Sequence, residues 1–510
     1  MNLAKRLSDV AKQYGDKPAI IFENTTYTFS DLDNQIQHYS ALLARLGVKI
    51  GDRVAIQLPK QMEFIFLELA VMSVGGITLP LNADYKADEV EYFLSDSGSS
   101  LLFTDSQRFS RARPVVQKLG DVRAVLVDSA ETTEGLSLSR ELELTDRAYS
   151  RQYPTGEDDV AVICYTSGTT GRSKGAMITH KNLISNTLAL HEAWEWSERD
   201  VLLHALPLFH VHGLFVALHG GLNAGATQIM HEKFDPGRVW DSITREGISF
   251  FMGVPTMYQR LMNEWERMER KPSVRTMRLF TSGSGPLLET QFRRFEQLTG
   301  FRILERYGMT EAGMITSNVI DLEGRKAKSV GYPLRGIEIK VVDPDGKNVV
   351  PGEVGEVWIR GDNIFKGYWK NQEKTDEAFQ GDWFKSGDLG YQDGDDRDRL
   401  YLVGRAKELI ITGGYNVYPK EIEDVLSSHE AVKEAAVIGL PDADFGEKVV
   451  AVLVVRESSA GISAQSLIDF SKARLASYKC PKEIFFTHEL PRNAMGKLQK
   501  NRLVEQYSDS

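Results

Sequence analysis

The feature that most restricts the fold is a long alternation between short apolar runs and amphipathic stretches of helical period. Ala19–Phe22, Val54–Leu58, Ile77–Leu81, Leu101–Thr104 and Ala124–Val127 are followed, after the polar stretch Asp146–Asp159, by Val160–Tyr165, Val201–Leu206, Ala226–Met230, Ile248–Val254, Arg278–Ser282 and Arg302–Tyr307. Strands that alternate with helices pair in parallel and carry those helices on their faces, so the pattern predicts an α/β body of layered sheets. Ser30 is the expected N-cap of the first clear internal helix, whose apolar stripe is Leu32, Ile36, Tyr39, Leu42 and Leu43 and which should end near Gly47. Between Ile337 and Val403 the period shortens to two and Pro344-Asp345-Gly346 and Pro351-Gly352 punctuate it, as in a small antiparallel unit. Beyond Gly404 a third pattern begins: helix Pro419–Ser427, strands Ala435–Gly439 and Val449–Val455, helix Ala464–Ala476 and strand Ile484–Thr487. That is enough chain for a small α+β domain of its own.

Composition removes several classes of function. With 510 residues the chain is too long for one compact core. Its 61 Lys and Arg against 71 Asp and Glu give a net charge of −10, the wrong sign for a dedicated binder of nucleic acid or anionic membrane. Cys164 and Cys480 form neither a disulfide framework nor a metal-ligand set, which fits a reducing, cytoplasmic setting. The most apolar stretch, Phe64–Leu81, contains Glu68, Gly75-Gly76 and Pro80, so it reads as a buried helix and strand with no integral membrane association. Lys5, Arg6 and Asp9 interrupt the N-terminal segment where a signal peptide needs apolar residues.

The densest chemistry is Thr166-Ser167-Gly168-Thr169-Thr170-Gly171-Arg172-Ser173-Lys174-Gly175, directly behind the run Val160–Tyr165. Glycines let the backbone aim N–H groups at an anion, hydroxyls add donors, and Lys174 adds a point charge. In a P-loop NTPase the lysine follows its glycine immediately, whereas here Ser173 and Arg172 intervene after Gly171. The bland alternative is a Ser/Thr/Gly surface turn. His204, His210 and His212 invite a zinc reading, but His-x-His with no acidic or cysteine partner nearby is weak support for one.

The loop and a series of later motifs, in this order, resemble the signature of the adenylate-forming enzymes, which include acyl-CoA synthetases, luciferases and peptide-synthetase adenylation domains. The later motifs are Ser282-Gly283-Ser284-Gly285-Pro286, Tyr307-Gly308-Met309-Thr310-Glu311, Ser386-Gly387-Asp388 with Gly404-Arg405, Gly413-Gly414-Tyr415-Asn416-Val417-Tyr418-Pro419, and Pro491-Arg492-Asn493-Ala494-Met495-Gly496-Lys497. The resemblance spans essentially the whole chain. It implies a ligase that joins a carboxylate to the α-phosphate of ATP, expels pyrophosphate, and passes the acyl group to coenzyme A. ATP, Mg2+ and coenzyme A are the implied small molecules. Thr310 and Glu311 would hold the Mg2+, oxygen ligands suiting a hard cation. Thr166, Ser167, Gly168, Thr169, Thr170, Gly171, Lys174, Ser284, Gly285, Pro286, Glu305, Tyr307, Gly308 and Met309 would line the nucleotide site, with Tyr307 on adenine and Asp388 and Arg405 at the ribose. Lys497 would bridge the two reacting anions. The resemblance divides the chain into an N-terminal domain, 1–406, and a mobile C-terminal domain, 407–510, hinged near Lys407. In the second pose Gly413 and Gly414 would let the pantetheine arm pass. It also implies that a lysine acetyltransferase could silence the enzyme by neutralising Lys497, with a deacetylase reversing it.

The acid is the open question. Arg306 precedes Tyr307 in Glu305-Arg306-Tyr307-Gly308-Met309-Thr310-Glu311, a string that resembles the malonyl-CoA synthetases, as do His210–Phe215 and Val254–Tyr258. Arg306 would then bind the distal carboxylate of malonate or methylmalonate, a guanidinium fork suiting a carboxylate, with His210 beside the acyl group. A fatty or other aliphatic acid is the alternative; Arg306 would then pair with a neighbour such as Glu305 and only shape the wall. Loading of a carrier protein needs an attachment domain that does not follow Gln506, a luciferase needs a bespoke pocket no motif announces, and a non-catalytic scaffold should have lost Glu311 or Lys497, which are both present.

Overall fold

The computed structural model describes residues 1–129, 135–146, 148–166, 173–396, 398–413, 415–442, 445–459, 461–492 and 497–508. Three sheets organise them. The first has seven strands, in the order Leu136–Ser137, Arg123–Leu126, Leu101–Thr104, Arg53–Gln57, Ile77–Pro80, Val160–Thr166, Lys174–Thr179. All neighbours are parallel except the last pair. The helix Met62–Ser73 is apolar all round because it is buried all round, only Glu63 escaping.

The second sheet, of fourteen strands, contains the antiparallel segment and the second set of parallel strands in one surface. Ile337–Val342, Gly355–Gly361, Trp383–Gln392 and Leu400–Arg405 pair antiparallel, and through Ser329–Pro333 and Gly313–Ser317 they continue into Leu304–Met309 and the parallel strands behind it. The small antiparallel unit is therefore an extension of the large sheet. The core beneath the parallel part is aromatic: Trp240 meets Trp265 edge-on at 5.1 Å, and Phe295 packs against Phe280 at 5.0 Å and Tyr258 at 5.3 Å.

The third sheet belongs to the C-terminal part and has five strands, with Val432–Asp442 paired along its length with Gly446–Val455. Alternation of side chains across this ladder covers both faces. Val437, Ala451 and Leu453 meet Ile422, Leu426 and Leu467 from helices Pro419–Ser427 and Ala464–Lys472; Ile438, Val450 and Val452 meet Leu503 of the last helix, Lys500–Tyr507. The last helix thus packs opposite the other two, and the chain carrying Lys497 leads into it. No helix among the described residues is long and apolar enough to cross a membrane.

One cap differs from expectation. The helix Phe29–Arg45 begins before Ser30, and Thr28 caps it: Thr28 Oγ1 accepts from Asp31 N at 3.0 Å while Thr28 N donates to Asp31 Oδ2 at 2.9 Å. Ser30 instead lies inside the first turn, where the reciprocal box leaves no capping task. Thr28→Ala should therefore cost about 1 kcal/mol and Ser30→Ala a few tenths at most, roughly the level of a neutral surface change. Equilibrium urea unfolding of the two variants would compare them, and a larger loss for Ser30→Ala would return the cap to Ser30.

Candidate active site

The phosphate-type loop connects two antiparallel strands. Thr166 stands opposite Lys174 at the open end of the ladder between Val160–Thr166 and Lys174–Thr179. Ser167, Gly168, Thr169, Thr170 and Gly171 lie outside the described residues. Lys174 stacks its ammonium 4.0 Å above the ring of Tyr368. Lost hydration lowers the Lys174 pKa, the Glu311 carboxylate opposing the shift and Lys407 reinforcing it. Glu311 comes from the turn after the strand Leu304–Met309, beside the half-buried Thr310. Its Oε1 accepts from Thr166 Oγ1 at 3.4 Å and from the Tyr368 hydroxyl at 3.1 Å. Both of these bonds fall on one oxygen. A single carboxylate among hydroxyls suits Mg2+, which keeps several waters and takes phosphate oxygens; no group of three His, Cys, Asp or Glu among the described residues offers an all-protein cage.

Strand register assembles the next group. Asp388 and Arg405 are direct partners across the ladder and join through Oδ1 and Nε at 2.8 Å. The Tyr307 phenol donates to Asp388 Oδ2 at 2.5 Å. Burial pushes the Asp388 carboxyl up and Arg405 holds it down. Lys497 stands within range of Arg405, Glu311, Asp388 and Arg306; lost hydration and the two guanidiniums lower its pKa, and the two carboxylates raise it. Gly308 is needed at its position because a Cβ there would meet Gly313 O at 2.3 Å. Met309 is half-buried beside it, and Gly285 and Pro286 are exposed at the loop beyond Ser284.

Alternation along Leu304–Met309 sends Glu305 and Arg306 to opposite faces, so they do not pair. Glu305 Oε1 accepts from Leu287 N at 3.2 Å and Oε2 has no partner among the described residues; burial raises its pKa to about 7. Arg306 lies over Gly283, where a Cβ would come 2.3 Å from its Cζ. Its Nε and Nη2 are buried and unpaired among the described residues, and burial lowers its pKa to about 9, still above neutrality. Beside it, His212 Nε2 is also buried without a partner, while Nδ1 meets Ser284 Oγ at 3.3 Å. His212 N donates to His210 Nδ1 at 3.2 Å, so the neutral His210 ring carries its proton on Nε2. Burial and the charges of Lys497 and Arg306 hold the His210 pKa down to about 3.

Sequence reasoning missed three features. Tyr368 sits among aromatic residues that read as core. Lys60 is buried and donates to His204 Nδ1 and His204 O, both at 2.7 Å, while His204 Nε2 meets Gly213 O at 2.8 Å. This brace secures the start of the segment His212–His219, which winds as a π-helix, a form often found at functional sites. No local motif marks it; an apolar run carrying two histidines, His212 and His219, is the only hint. In the C-terminal part, Lys407 lies in the short turn Ala406–Glu408. A Cβ on Gly413 would meet only the Phe445 ring, at 3.4 Å, and Gly414 lies outside the described residues.

The structure thus brings together Glu311 in the turn after one strand, Lys174 on the hairpin, the Tyr307–Asp388–Arg405 set and Lys497 from the C-terminal part. The family description AMP-binding enzyme matches residues 7–369, and AMP-binding enzyme C-terminal domain matches residues 421–497. The chain is 33% identical to human mitochondrial malonate–CoA ligase over 98% of its length and 92% of that protein, and 35% identical to oxalate–CoA ligase of Arabidopsis thaliana over 99% and 98%. Among solved structures, ATP-bound MatB from Rhodopseudomonas palustris superposes with a TM-score of 0.91 at 40% identity, covering 100% of this chain and 99% of that one. The chain belongs to the AMP-binding enzyme family. Within it, the protein is an AMP-forming acid–CoA ligase that uses ATP, Mg2+ and coenzyme A.

Glu305 yields a test that separates fold from catalysis. Its folded-state pKa is raised, so the native protein holds a proton that the unfolded chain gives up as pH rises from about 4.5 to 7. Stability should fall across that window and stay low above it. Glu305→Gln keeps the oxygen that accepts from Leu287 N and removes the charge. It should match wild type at pH 4.5 and be more stable at pH 8 by up to about 3 kcal/mol. Melting curves at the two pH values read this; equal curves at pH 8 would show that Glu305 ionises without cost.

Proposed function

We propose that the acid is a small dicarboxylate, malonate first and methylmalonate second. The observation that carries this reading is Arg306: a buried guanidinium with Nε and Nη2 unpaired among the described residues, beside His212 Nε2, which is likewise unpaired among them. Leaving such donors against an aliphatic chain costs on the order of 1–3 kcal/mol each. A distal carboxylate would satisfy them with a charge-assisted fork. The alternative, an aliphatic acid with Arg306 paired to Glu305, is disfavoured by their opposite faces.

In the first half-reaction, Glu311 and Thr310 hold the metal, which neutralises phosphate charge when bound. Lys174 and the loop before it hold phosphates. Tyr307, Asp388 and Arg405 hold the nucleoside. His210 offers a neutral N–H, and Lys497 lies between the acid carboxylate and the α-phosphate, stabilising charge that grows as the bond forms. In the second, the part from 407 onward rotates at Lys407, withdraws Lys497 and brings the Gly413-Gly414 turn to the pantetheine arm. We place the enzyme in a reducing compartment, the cytoplasm, because Cys164 and Cys480 are both buried and unpaired.

The two poses give paired expectations. Lys497→Ala should lower acyl-adenylate formation by more than the roughly 10²–10³-fold typical of removing one oxyanion donor, while supplied acyl-adenylate still reacts with coenzyme A. Lys407→Pro fixes φ near −65° and freezes the hinge, so adenylation should survive and thioester formation should fall. Pyrophosphate release and thioester formation, followed separately, read both. Equal loss in the two steps for Lys497→Ala would remove the two-pose assignment.

For the acid, kcat/KM on a panel decides. Wild type should prefer malonate to butyrate. Arg306→Leu should lose about 2–5 kcal/mol of malonate recognition, roughly 30-fold or more in kcat/KM, and leave butyrate unchanged or improved. Equal loss on every acid would make Arg306 structural, and preference of wild type for octanoate would end the dicarboxylate reading.

A further inference from the structure

The segment Asn363–Trp369 joins the two arms of the phosphate side. On one edge Trp369 N donates to Gly175 O at 2.7 Å, Met177 N to Gly367 O at 3.0 Å and Lys366 N to Met177 O at 2.9 Å, all on the strand that leaves the phosphate-type loop. On the other, Phe365 N donates to Glu311 O at 2.8 Å and Asn363 Nδ2 to Ala312 O at 2.6 Å. Tyr368 is the one residue of this strap whose side chain reaches both functional groups. Its hydroxyl donates to Glu311 Oε1 at 3.1 Å, and its ring face lies 4.0 Å under the Lys174 ammonium. The side chain is itself fixed: Tyr368 N donates to Thr375 Oγ1 at 2.9 Å, and the ring packs edge-on to Phe365 at 4.8 Å. Only 7% of the residue is exposed.

We propose that Tyr368 is a positioning residue that fixes the metal-side carboxylate of Glu311 through its hydroxyl and the phosphate-side ammonium of Lys174 through its ring. This rests on the roles given above to Glu311 and Lys174. Ligating carboxylates are oriented by outer partners, and here the donated hydrogen bond occupies Oε1, so that Oε2 would be the oxygen free to serve a bound cation. The ring restrains a lysine that would otherwise swing on four methylenes, through a cation–π contact at 4.0 Å. One side chain thus presets the spacing between the groups that must take the metal and the phosphates together.

Calorimetric titration of ATP into the full-length enzyme, with and without Mg2+ and without acid or coenzyme A, tests this apart from turnover. Tyr368→Phe keeps the ring and loses the hydroxyl. The tightening of ATP binding by Mg2+ should shrink about tenfold or more, and Mg2+-free affinity should stay within about twofold. Tyr368→Leu, or Tyr368→Met if the leucine does not fold, loses the ring as well, and Mg2+-free affinity should then drop about five- to tenfold. A Tyr368→Phe enzyme with wild-type Mg2+ dependence would overturn the hydroxyl role. Identical losses in the phenylalanine and leucine variants would overturn the ring role. Glu311→Gln is the control: if it keeps the Mg2+ dependence, the reading of Glu311 falls and takes the proposal with it, whereas its loss beside an unaffected Tyr368→Phe sinks the proposal alone.

Discussion

The Asp388–Arg405 pair is the contact on which the rest of the cleft depends. The two residues face each other in register across antiparallel strands, with the Tyr307 phenol on the second carboxylate oxygen and Ser386 Oγ accepting from Asp388 N at 3.0 Å. A carboxylate this buried is costly unless paired and hydrogen-bonded, and here the two residues on its oxygens, Tyr307 and Arg405, come from different stretches of chain. Tyr307 ties in the strand that carries Arg306 and leads to Glu311. Arg405 is the last residue before the turn Ala406–Glu408, so the same pair anchors the exit toward the C-terminal part. The Asp388 charge also offsets the repulsion between Arg405 and Lys497, a task it shares with Glu311.

That balance explains the electrostatic character of the site. Arg306, Lys174 and Lys497 all have pKa values lowered first by lost hydration, and His204, His210 and His212 are held neutral for the same reason. The cleft gathers cations, and among the described residues Arg306 Nε and Nη2 and His212 Nε2 are left without a partner. Such groups weaken the free enzyme; their complement is a set of anions that would otherwise repel one another, namely phosphates and a carboxylate. Binding and catalysis then draw on one source, because donors already desolvated and oriented need no reorganisation when charge builds.

The sequence made the parallel strands legible because each is a short apolar run bounded by turn signals, and their order along the chain needed no tertiary information. Other features depended on contacts that no local pattern carries. The antiparallel strands from Ile337 read as a separate unit because their joining to Leu304–Met309 runs through Ser329–Pro333 and Gly313–Ser317, short polar-looking strands. Ser30 looked like the cap because it precedes the apolar stripe, but the Thr28–Asp31 box closes two residues earlier. Val432–Asp442 exceeded the expected strand because pairing with Gly446–Val455 extends past its apolar centre. In the cleft, Thr166, Lys174, Tyr307, Glu311, Asp388, Arg405 and Lys497 were found from their motifs, whereas Tyr368 was not: a tyrosine between Gly367 and Trp369 looks like core until its hydroxyl is seen on Glu311. The pairing of Arg306 with Glu305, adjacent in sequence, fails for the simplest reason, since neighbours in a strand point apart.

The same physics governs how the C-terminal part is coupled to the cleft. Lys500 follows Lys497 by three residues and lies half-buried between Glu423 at 2.7 Å and Glu408 at 3.0 Å. Burial alone would lower its pKa, yet the two carboxylates raise it, so the cation is kept. Glu408 belongs to the turn that follows Arg405, Glu423 to the helix Pro419–Ser427, and Lys500 to the first turn of the last helix. Leu498 bridges to Arg492, and Gln499 N donates to Pro491 O at 2.8 Å, which closes the chain around Lys497 at its base. Breaking one partner of this partly exposed triad should cost about 1 kcal/mol, which ties the three pieces to one another. In the rotation proposed at Lys407, the helix, the turn and Lys497 would therefore move as one body. Lys497 would then be coupled to the turn beside Arg405, which is itself paired with Asp388.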